Sequence, residues 1–418
     1  MKFLKSFRNN QKLRQITRLL SANVIGIPLG IIASIFVTKY LGPEKFGDYM
    51  FIQNIFAFAI IIGTFGFYNS GNRAIINSKA KSHIKEYYGA EIVISVFLFL
   101  FIASAVIVFI FLDKNINSKQ LFTPILMLVP FVFVYLFVRY FETLLQADNR
   151  INLLIKIRLY PKVLFAVSII CAYFLQIEFS GSKLLIAYYL LMLSQLFVFI
   201  YVIVSLKPSF KNLRKRIKDL VRLNKYYGWH VYIGSVFAVG SAQLSGILIS
   251  YFGLDNTGVG YYALAITIAA PLSFIPNTIA TTHYREFSIM NAIPQKVMHV
   301  TLVMSVAALL LSWLLISPFI NYFYGEDYQN VIPLFYMVSL GVCLHGLADF
   351  FNRFLGSHGQ GKMLRNSSFV IGFCLLVMSI LLIPLWGEVG AAITKGATGL
   401  IYLVSIKYFY NKFKKSKC

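Results

Sequence analysis

The chain has 418 residues, is 58% hydrophobic, and carries 39 Lys and Arg against 15 Asp and Glu, a formal net charge of +24. Long uncharged stretches separate the basic residues, and these stretches exclude the nucleic-acid-binding protein that the charge alone would suggest. The composition therefore predicts an all-α polytopic membrane protein.

Runs without Asp, Glu, Lys or Arg recur along the chain, and a helix needs about 20 largely apolar residues to cross a bilayer. We predict about twelve transmembrane helices. The fifth, Val163–Ile177, requires Arg158 and Lys162 to extend their charged ends to the membrane surface. The twelfth, residues 388–406, contains Lys395. The other ten cover residues 19–38, 49–72, 92–112, 120–138, 184–206, 226–254, 256–284, 297–325, 328–348 and 366–387.

The basic residues fall in every second gap between the predicted spans. One set of gaps, taken with both ends of the chain, holds 33 of them, whereas the other set and the twelfth span together hold 6. Cytoplasmic loops of membrane proteins carry the excess of Lys and Arg. This contrast places the first set of gaps and both termini in the cytoplasm.

The gaps also predict the domain organisation. Residues 1–18 are basic with interleaved apolar side chains, so they form either an interfacial helix on anionic lipid or a solvated tail. We expect an N-terminal six-helix bundle at 19–206 and a basic cytoplasmic linker at 207–225. A C-terminal six-helix bundle follows at 226–410, and a basic cytoplasmic tail at 411–418.

The two halves resemble each other. The segment LGPEKFG (Leu41–Gly47) follows the first span, and FGLDNTGVGYY (252–262) follows the seventh. Arg73 lies 26 residues after Gly47, and Arg285 lies 25 residues after Gly260. Because each half has six spans, the repeats share one orientation. Parallel repeats of this kind belong to transporters, so we expect two six-helix bundles around a central cavity.

The segment Leu41–Gly47 and the segment FETLLQA (141–147) give the chain a family resemblance. It resembles bacterial polysaccharide repeat-unit flippases of the O-antigen and capsule type, in the multidrug/oligosaccharidyl-lipid/polysaccharide exporter superfamily. The resemblance implies an inner-membrane transporter that is not an enzyme. Its cargo would be an undecaprenyl-pyrophosphate-linked glycan, carried from the cytoplasmic to the periplasmic leaflet by alternating access. It also implies membrane lipids, a polysaccharide polymerase and a chain-length regulator as partners, and coupling to protons or cations.

Four basic residues are candidates for binding the pyrophosphate. Lys395 lies within the twelfth span, where a charge is costly and usually functional; the alternative is an ammonium that reaches the outer surface. Arg73 and Arg285 close spans two and eight, and guanidinium groups bind phosphate through two parallel hydrogen bonds. They could equally be ordinary cytoplasmic anchors. Arg139, which closes span four, is a weaker candidate of the same kind.

Three further residues are candidates for ion coupling. Glu91 near the start of span three and Asp349 late in span ten could carry protons, or each could pair with a nearby cation. His345 precedes Asp349 by four residues, so both lie on one helix face. A histidine in this setting is also a common packing residue.

The turn after span one and two prolines in span eight are candidate gating elements. Gly42, Glu44 and Gly47 belong to the turn, where glycines permit positive φ angles. Pro271 and Pro276 would kink span eight and free backbone carbonyls, either for gating or simply as static shape.

Other functional classes are less consistent with the sequence. Gly356–Lys362 (GSHGQGK) resembles a phosphate-binding loop, but Met363 stands where Ser or Thr would bind Mg²⁺, so we expect no nucleotide. The cysteines show no metal-ligand spacing, and we expect no metal or other cofactor. A multidrug efflux antiporter of the same superfamily is the main alternative. A polymerase or glycosyltransferase should have a large outer loop or an acidic motif, and neither is present.

Overall fold

The computed structural model describes residues 11–78, 80–178 and 182–417, except for the side chains of residues 11–24, 238, 285, 416 and 417. The predicted interfacial helix at 1–18 therefore lies mostly outside the described residues, as does Cys418 of the predicted tail. Residues 11–18 form the beginning of the first helix, and residues 411–417 continue the last one.

The first half of the chain is a series of helices joined by short turns. The helices are α1 (Gln11–Leu41), α2 (Pro43–Gly63), α3 (Phe67–Ile76), α4 (Lys81–Leu112), α5 (Lys114–Ser118), α6 (Phe122–Ala147), α7 (Ile151–Leu175), α8 (Lys183–Leu206) and α9 (Leu213–Leu223). A 3₁₀ turn at Val129–Phe131, which contains Pro130, interrupts the sixth of these helices, α6.

The second half continues in the same way. Helix α10 (residues 224–252) contains two π-helical turns, Asn224–Gly228 and Val236–Gly240. Gly387 adopts a non-helical conformation (φ 55°, ψ −132°) and divides the stretch Gly361–Lys417 into two helices. The remaining helices are α11 (Thr257–Thr282), α12 (Tyr284–Phe287), α13 (Gln295–Phe323), α14 (Val331–Ser357), α15 (residues 361–386) and α16 (residues 388–417).

Eight helical stretches in the described part of the chain are long and apolar enough to cross a membrane. One of them, Gly361–Lys415, is interrupted at Gly387 and covers both the eleventh and the twelfth predicted spans. The predicted first, fifth and seventh spans also lie on helices. The described residues of these helices are not both long and apolar enough to be counted among the eight. The all-α membrane fold class is confirmed, and the number twelve stays a prediction.

The outer faces of the long helices are apolar. Large side chains such as Phe97, Phe111 and Phe197 are each more than 60% exposed. Apolar surface of this extent is costly in water and favourable in lipid. The exposed faces therefore support the membrane location independently of helix length.

Packing divides the chain into two compact units. The first contains the chain up to Tyr40 and residues Phe56–Ile233, and the second contains Leu41–Ile55 and the chain from Gly234 onwards. Residues 41–55 pack with the second unit, and residues 207–225, the predicted cytoplasmic linker, pack with the first unit. The predicted domain boundaries stay a prediction.

The position of residues 41–55 follows from contacts of the motif Leu41–Gly47. A Cβ atom on Gly47 would lie 1.9 Å from the carbonyl oxygen of Asn256, so only glycine fits. Asp48 is buried and accepts a 2.8 Å hydrogen bond from Asn256 Nδ2. A Cβ atom on Gly260 would lie 3.1 Å from the Cα atom of Gly47. The motif thus packs directly against its counterpart in the internal repeat.

In the second unit, α14 packs against α11, α13, α15 and α16. Helices α14 and α16 approach at backbone contact: a Cβ on Gly341 would lie 2.4 Å from the carbonyl oxygen of Lys395, and one on Gly399 would lie 2.5 Å from that of Gly341. Small residues permit such close helix packing in membranes. This contact positions Lys395 beside α14.

Candidate functional site

The candidate site lies in the second unit and begins at Lys395. Its side chain is half-buried among apolar helices, and within the described residues its ammonium group forms no hydrogen bond or ion pair. It interacts electrostatically with His345 and Asp349 of α14. Two of the three predicted coupling residues therefore lie beside the predicted anion-binding lysine.

Asp349 is held by a network of neutral donors. The Tyr402 hydroxyl donates a 2.9 Å hydrogen bond to Asp349 Oδ1, and Asn352 Nδ2 donates a 2.8 Å hydrogen bond to the Tyr402 oxygen. The His345 ring lies 4.6 Å from the Tyr402 ring, centroid to centroid. His345 and Asp349 therefore both face Tyr402, in agreement with their spacing of four residues.

Arg353 adds a second cation on the same face of α14. Its Nε donates a 3.2 Å hydrogen bond to Asn277 Oδ1, and it interacts electrostatically with Asp349. Asn277 belongs to α11 and also interacts with Asp349. The cluster thus contains two cations and one carboxylate.

This arrangement suits an anion. Asp349 is already engaged by Tyr402 and interacts with Arg353, whereas Lys395 has no hydrogen-bond acceptor of its own among the described residues. A cation in a largely apolar setting interacts strongly with a phosphate or carboxylate because water competes weakly there. The cluster can therefore bind one anionic group through Lys395.

Sequence reasoning missed three members of this cluster: Tyr402, Asn277 and Arg353. Arg353 falls in a gap between two predicted spans, although its position four residues after Asp349 places it on the same helix face. This spacing of four residues is the sequence pattern that indicates Arg353 as a neighbour of Asp349. The contributions of Tyr402 and Asn277 depend on how three helices pack, and no local pattern in the sequence indicates them.

The predicted arginines occupy other places. Arg73 is exposed on α3, and its guanidinium lies 4.5 Å above the ring of Tyr227. Arg139 is exposed on α6, a neighbour of α3. Arg285 lies on α12 in the second unit, and its side chain is outside the described part of the structure. The pairing of Arg73 with Arg285 stays a prediction.

Glu91 occupies a separate, fully buried position in the first unit. Neither carboxylate oxygen has a hydrogen-bond partner among the described residues, and the hydroxyls of Tyr68 and Tyr140 beside it lack partners as well. Tyr140 interacts electrostatically with Glu91, although neither side chain has a hydrogen-bond partner among the described residues. A Cβ on Gly71 would lie 2.1 Å from Glu91 Oε1. The salt bridge considered for Glu91 is therefore not observed, and the carboxyl group is expected to be neutral, because an isolated buried charge is very costly.

Of the proposed gating residues, Gly42 and Pro271 lie at breaks between helical segments, whereas Glu44 and Gly47, expected in the turn, lie within α2, and Pro276 lies within the helical segment Phe274–Thr282. Gly42 adopts a positive φ of 76° between α1 and α2, and Glu44 is exposed at the start of α2. Pro271 lies in a 3₁₀ turn, Ala270–Ser273, that interrupts α11, and Pro276 is buried against α14. Their role in gating stays a prediction.

Comparison with known proteins gives a consistent set of matches. The family described as "Polysaccharide biosynthesis protein" matches residues 13–288. The capsular polysaccharide biosynthesis protein CapF of Staphylococcus aureus is 26% identical over 120 residues, which are 28% of this chain and 30% of that protein. The match thus spans less than a third of the length of this relative.

Two solved structures share the fold over nearly the whole chain. The lipid II flippase MurJ in an inward closed conformation has a TM-score of 0.77 at 15% identity, with 95% of this chain and 90% of that chain covered. An inward-facing multidrug resistance MATE family transporter of the MOP superfamily has a TM-score of 0.70 at 16% identity, with 97% and 100% covered. At this identity the likeness concerns the fold, which confirms the predicted architecture class.

Proposed function

Because this chain belongs to the polysaccharide biosynthesis protein family, we propose that it moves lipid-linked oligosaccharide repeat units across the bacterial inner membrane. The cargo would be an undecaprenyl-pyrophosphate-linked glycan, carried from the cytoplasmic to the periplasmic leaflet for a surface polysaccharide such as O-antigen or capsule. The likeness of the fold to a lipid II flippase supports a lipid-linked cargo.

The observation that carries this proposal is Lys395. A charge within a membrane-spanning helix costs about 2.5–3.5 kcal/mol on insertion scales, so it is usually retained for function. Its ammonium has no acceptor among the described residues, and Arg353 adds positive charge nearby. A pyrophosphate supplies the missing acceptors.

We assign the residues of the cluster separate roles. Lys395 contacts a phosphate oxygen of the cargo, and Asp349, held by Tyr402, balances the charge of the empty site. Arg73, Arg139 and Arg285 provide further phosphate contacts during alternating access. A gradient can drive the movement, since one charge crossing 100 mV corresponds to about 2.3 kcal/mol.

The test is a set of Lys395 variants in a deletion strain. Lys395→Ala should abolish surface polysaccharide and leave lipid-linked repeat units accumulated on the cytoplasmic side, whereas Lys395→Arg should retain part of the export. Lys407→Ala is the matched control, because Lys407 is exposed on the same helix. Immunoblotting of membranes checks that each variant is present. Normal export by Lys395→Ala would refute the assignment.

A multidrug efflux antiporter is the second candidate. The MATE-type fold and the buried carboxyl of Glu91 favour it, since pumps for cationic drugs use acidic groups. The same deletion strain separates the two functions. Unchanged lipid intermediates together with new drug sensitivity would replace the flippase proposal with efflux.

A further inference from the structure

Helix α9 is amphipathic and strongly basic. Seven basic residues lie between positions 211 and 225, and only Arg216 among them is buried. Arg216 Nε lies 2.7 Å from Glu86 Oε2, and its guanidinium lies 5.0 Å from the centre of the Tyr87 ring. One cation therefore faces inward to hold the helix, and the others face outward.

Further contacts hold α9 against the beginning of α4. Asn212 Nδ2 donates a 3.1 Å hydrogen bond to Glu86 Oε1, and the Ser209 amide donates a 2.9 Å hydrogen bond to the Lys85 carbonyl. Leu220 is completely buried on the same face. The helix is thus a fixed element of the first unit, and its outward face has a defined orientation.

The outward face consists of unpaired cations. Each of these side chains is exposed, and none forms an ion pair with another described residue; they are Arg214, Lys215, Lys218 and Arg222 on α9 and, directly beside it, Lys211 and Lys225. The nearest acid, Asp219, is already engaged by Arg216 at 3.5 Å. An open groove runs along this face. These cations are therefore available to bind an anion from outside the chain.

The position of α9 indicates where that counter-charge lies. Helix α8, which is long and apolar enough to cross a membrane, ends at Leu206, and α9 packs against the beginning of α4, another such helix, so we expect α9 at the membrane surface. Exposed aromatic side chains flank the helix: Phe210 (55%), Tyr226 (73%) and Trp229 (42%). Aromatic residues of this kind concentrate at membrane–water interfaces.

We infer that the outward face of α9 binds the phosphate groups of anionic phospholipids at the membrane surface. The aromatic side chains insert at headgroup level while the cations contact the phosphates. This surface shares no residue with the Lys395 cluster, so the inference does not depend on the identity of the cargo.

Lipid binding at α9 would also affect the nearby junction between α2 and α3. Asn224, directly after α9, accepts a 3.0 Å hydrogen bond from Ser70 Oγ and donates one of 3.0 Å to the Phe65 carbonyl. Phe65 and Gly66 both have positive φ angles, 46° and 83°, where α2 ends and α3 begins. A lipid that immobilises α9 should therefore also slow hydrogen exchange at this junction.

The experiment titrates the detergent-purified full-length protein with phosphatidylglycerol, phosphatidylcholine or inorganic phosphate. The readouts are the melting temperature and hydrogen exchange of residues 65–76. The test variant is K211Q/R214Q/K215Q/K218Q, and the matched control K407Q/K412Q/K414Q/K415Q removes four exposed cations from α16.

We expect saturable stabilisation and slower exchange with phosphatidylglycerol alone. At about 1 kcal/mol per cation near an anionic surface, the test variant should bind about 10³-fold more weakly, and the control should bind like the wild type. An equal response to phosphatidylcholine, or an equal loss in both variants, would overturn the inference. Full stabilisation by inorganic phosphate would assign the surface to a free anion instead of a lipid.

Discussion

Two buried glutamates on α4 have opposite environments: one is paired with an arginine, and the other has no partner among the described residues. Glu86 lies 2.7 Å from Arg216 and accepts a hydrogen bond from Asn212, so it is held as a carboxylate. Glu91, five residues later, has no partner for either oxygen among the described residues. Burial alone therefore does not determine the charge of an acid; the presence of a fixed cation does.

These two residues make a matched pair of substitutions. Glu86→Gln removes the carboxylate 2.7 Å from Arg216 Nε and leaves Asp219, at 3.5 Å, as the remaining counter-charge, so it should lower the free energy of unfolding. Glu91→Gln replaces a carboxyl that has no hydrogen-bond partner among the described residues with an amide of similar shape, and should lower the free energy of unfolding less than Glu86→Gln does. Thermal unfolding of the purified variants at neutral pH provides the comparison. An equal loss in both would mean that Glu91 is ionised or that the Glu86 pair contributes little.

At the scale of single elements, helix contacts depend on glycines at points of backbone approach. The motif Leu41–Gly47 is such a point, because Gly47 meets the Asn256 carbonyl and Asp48 binds the Asn256 side chain. The contact explains why this short segment packs with the second unit, although the chain connects it on both sides to the first.

Substitution of Gly47 tests this contact. Gly47→Ala should destabilise the protein by at least about 1–3 kcal/mol, since the new methyl group overlaps a backbone carbonyl. Gly30→Ala is the control: Gly30 lies in α1 with no atom within 4 Å of its Cβ position, and alanine there should be neutral or stabilising by up to about 1 kcal/mol. Melting temperatures in detergent distinguish the two. Similar values for both variants would contradict the packing of the motif.

The approach of α14 to α16 gives a second prediction at this scale. Gly341→Ala should push the Lys395 backbone away from α14 and reduce export several-fold, because 1 Å misplacements of a binding group can have such effects. Gly361→Ala, at the exposed start of α15, should export normally. Surface polysaccharide, normalised to membrane-inserted protein, is the measurement. Wild-type export by Gly341→Ala would show that the position of Lys395 tolerates displacement.

Helix α7 begins well before the apolar run that predicts it. The sequence predicts a span at Val163–Ile177, but the helix is Ile151–Leu175. Arg158 is paired with Glu142 at 2.6 Å, and Lys162 Nζ donates a 3.4 Å hydrogen bond to the Gly26 carbonyl. Charged residues whose partners lie on other helices extend a helix without extending its apolar run.

At the scale of the whole molecule, the distribution of basic residues predicts the orientation in the membrane. A cysteine placed at Ser118, in the short helix α5, should react with a membrane-impermeant maleimide in intact spheroplasts. A cysteine at Lys362, at the start of α15, should react only after permeabilisation. Both are made in a background without the native cysteines, since Cys171 is exposed. The reverse pattern would invert the predicted topology and place the basic face of α9 at the outer surface.

Composition and spacing determined the membrane class, the all-helical fold class, and the family resemblance carried by Leu41–Gly47. These depend on local physics, because a backbone in lipid must satisfy its own hydrogen bonds and each span must be apolar by itself. The sequence also indicated Lys395, Asp349 and His345, since charges in apolar runs are conspicuous. Only the tertiary structure decided that His345 and Asp349 meet at Tyr402 beside Lys395, that Glu91 has no hydrogen-bond partner among the described residues, and that Arg216 alone among its basic neighbours faces inward. Those facts depend on which helices pack together, and that choice depends on contacts between residues far apart in the chain.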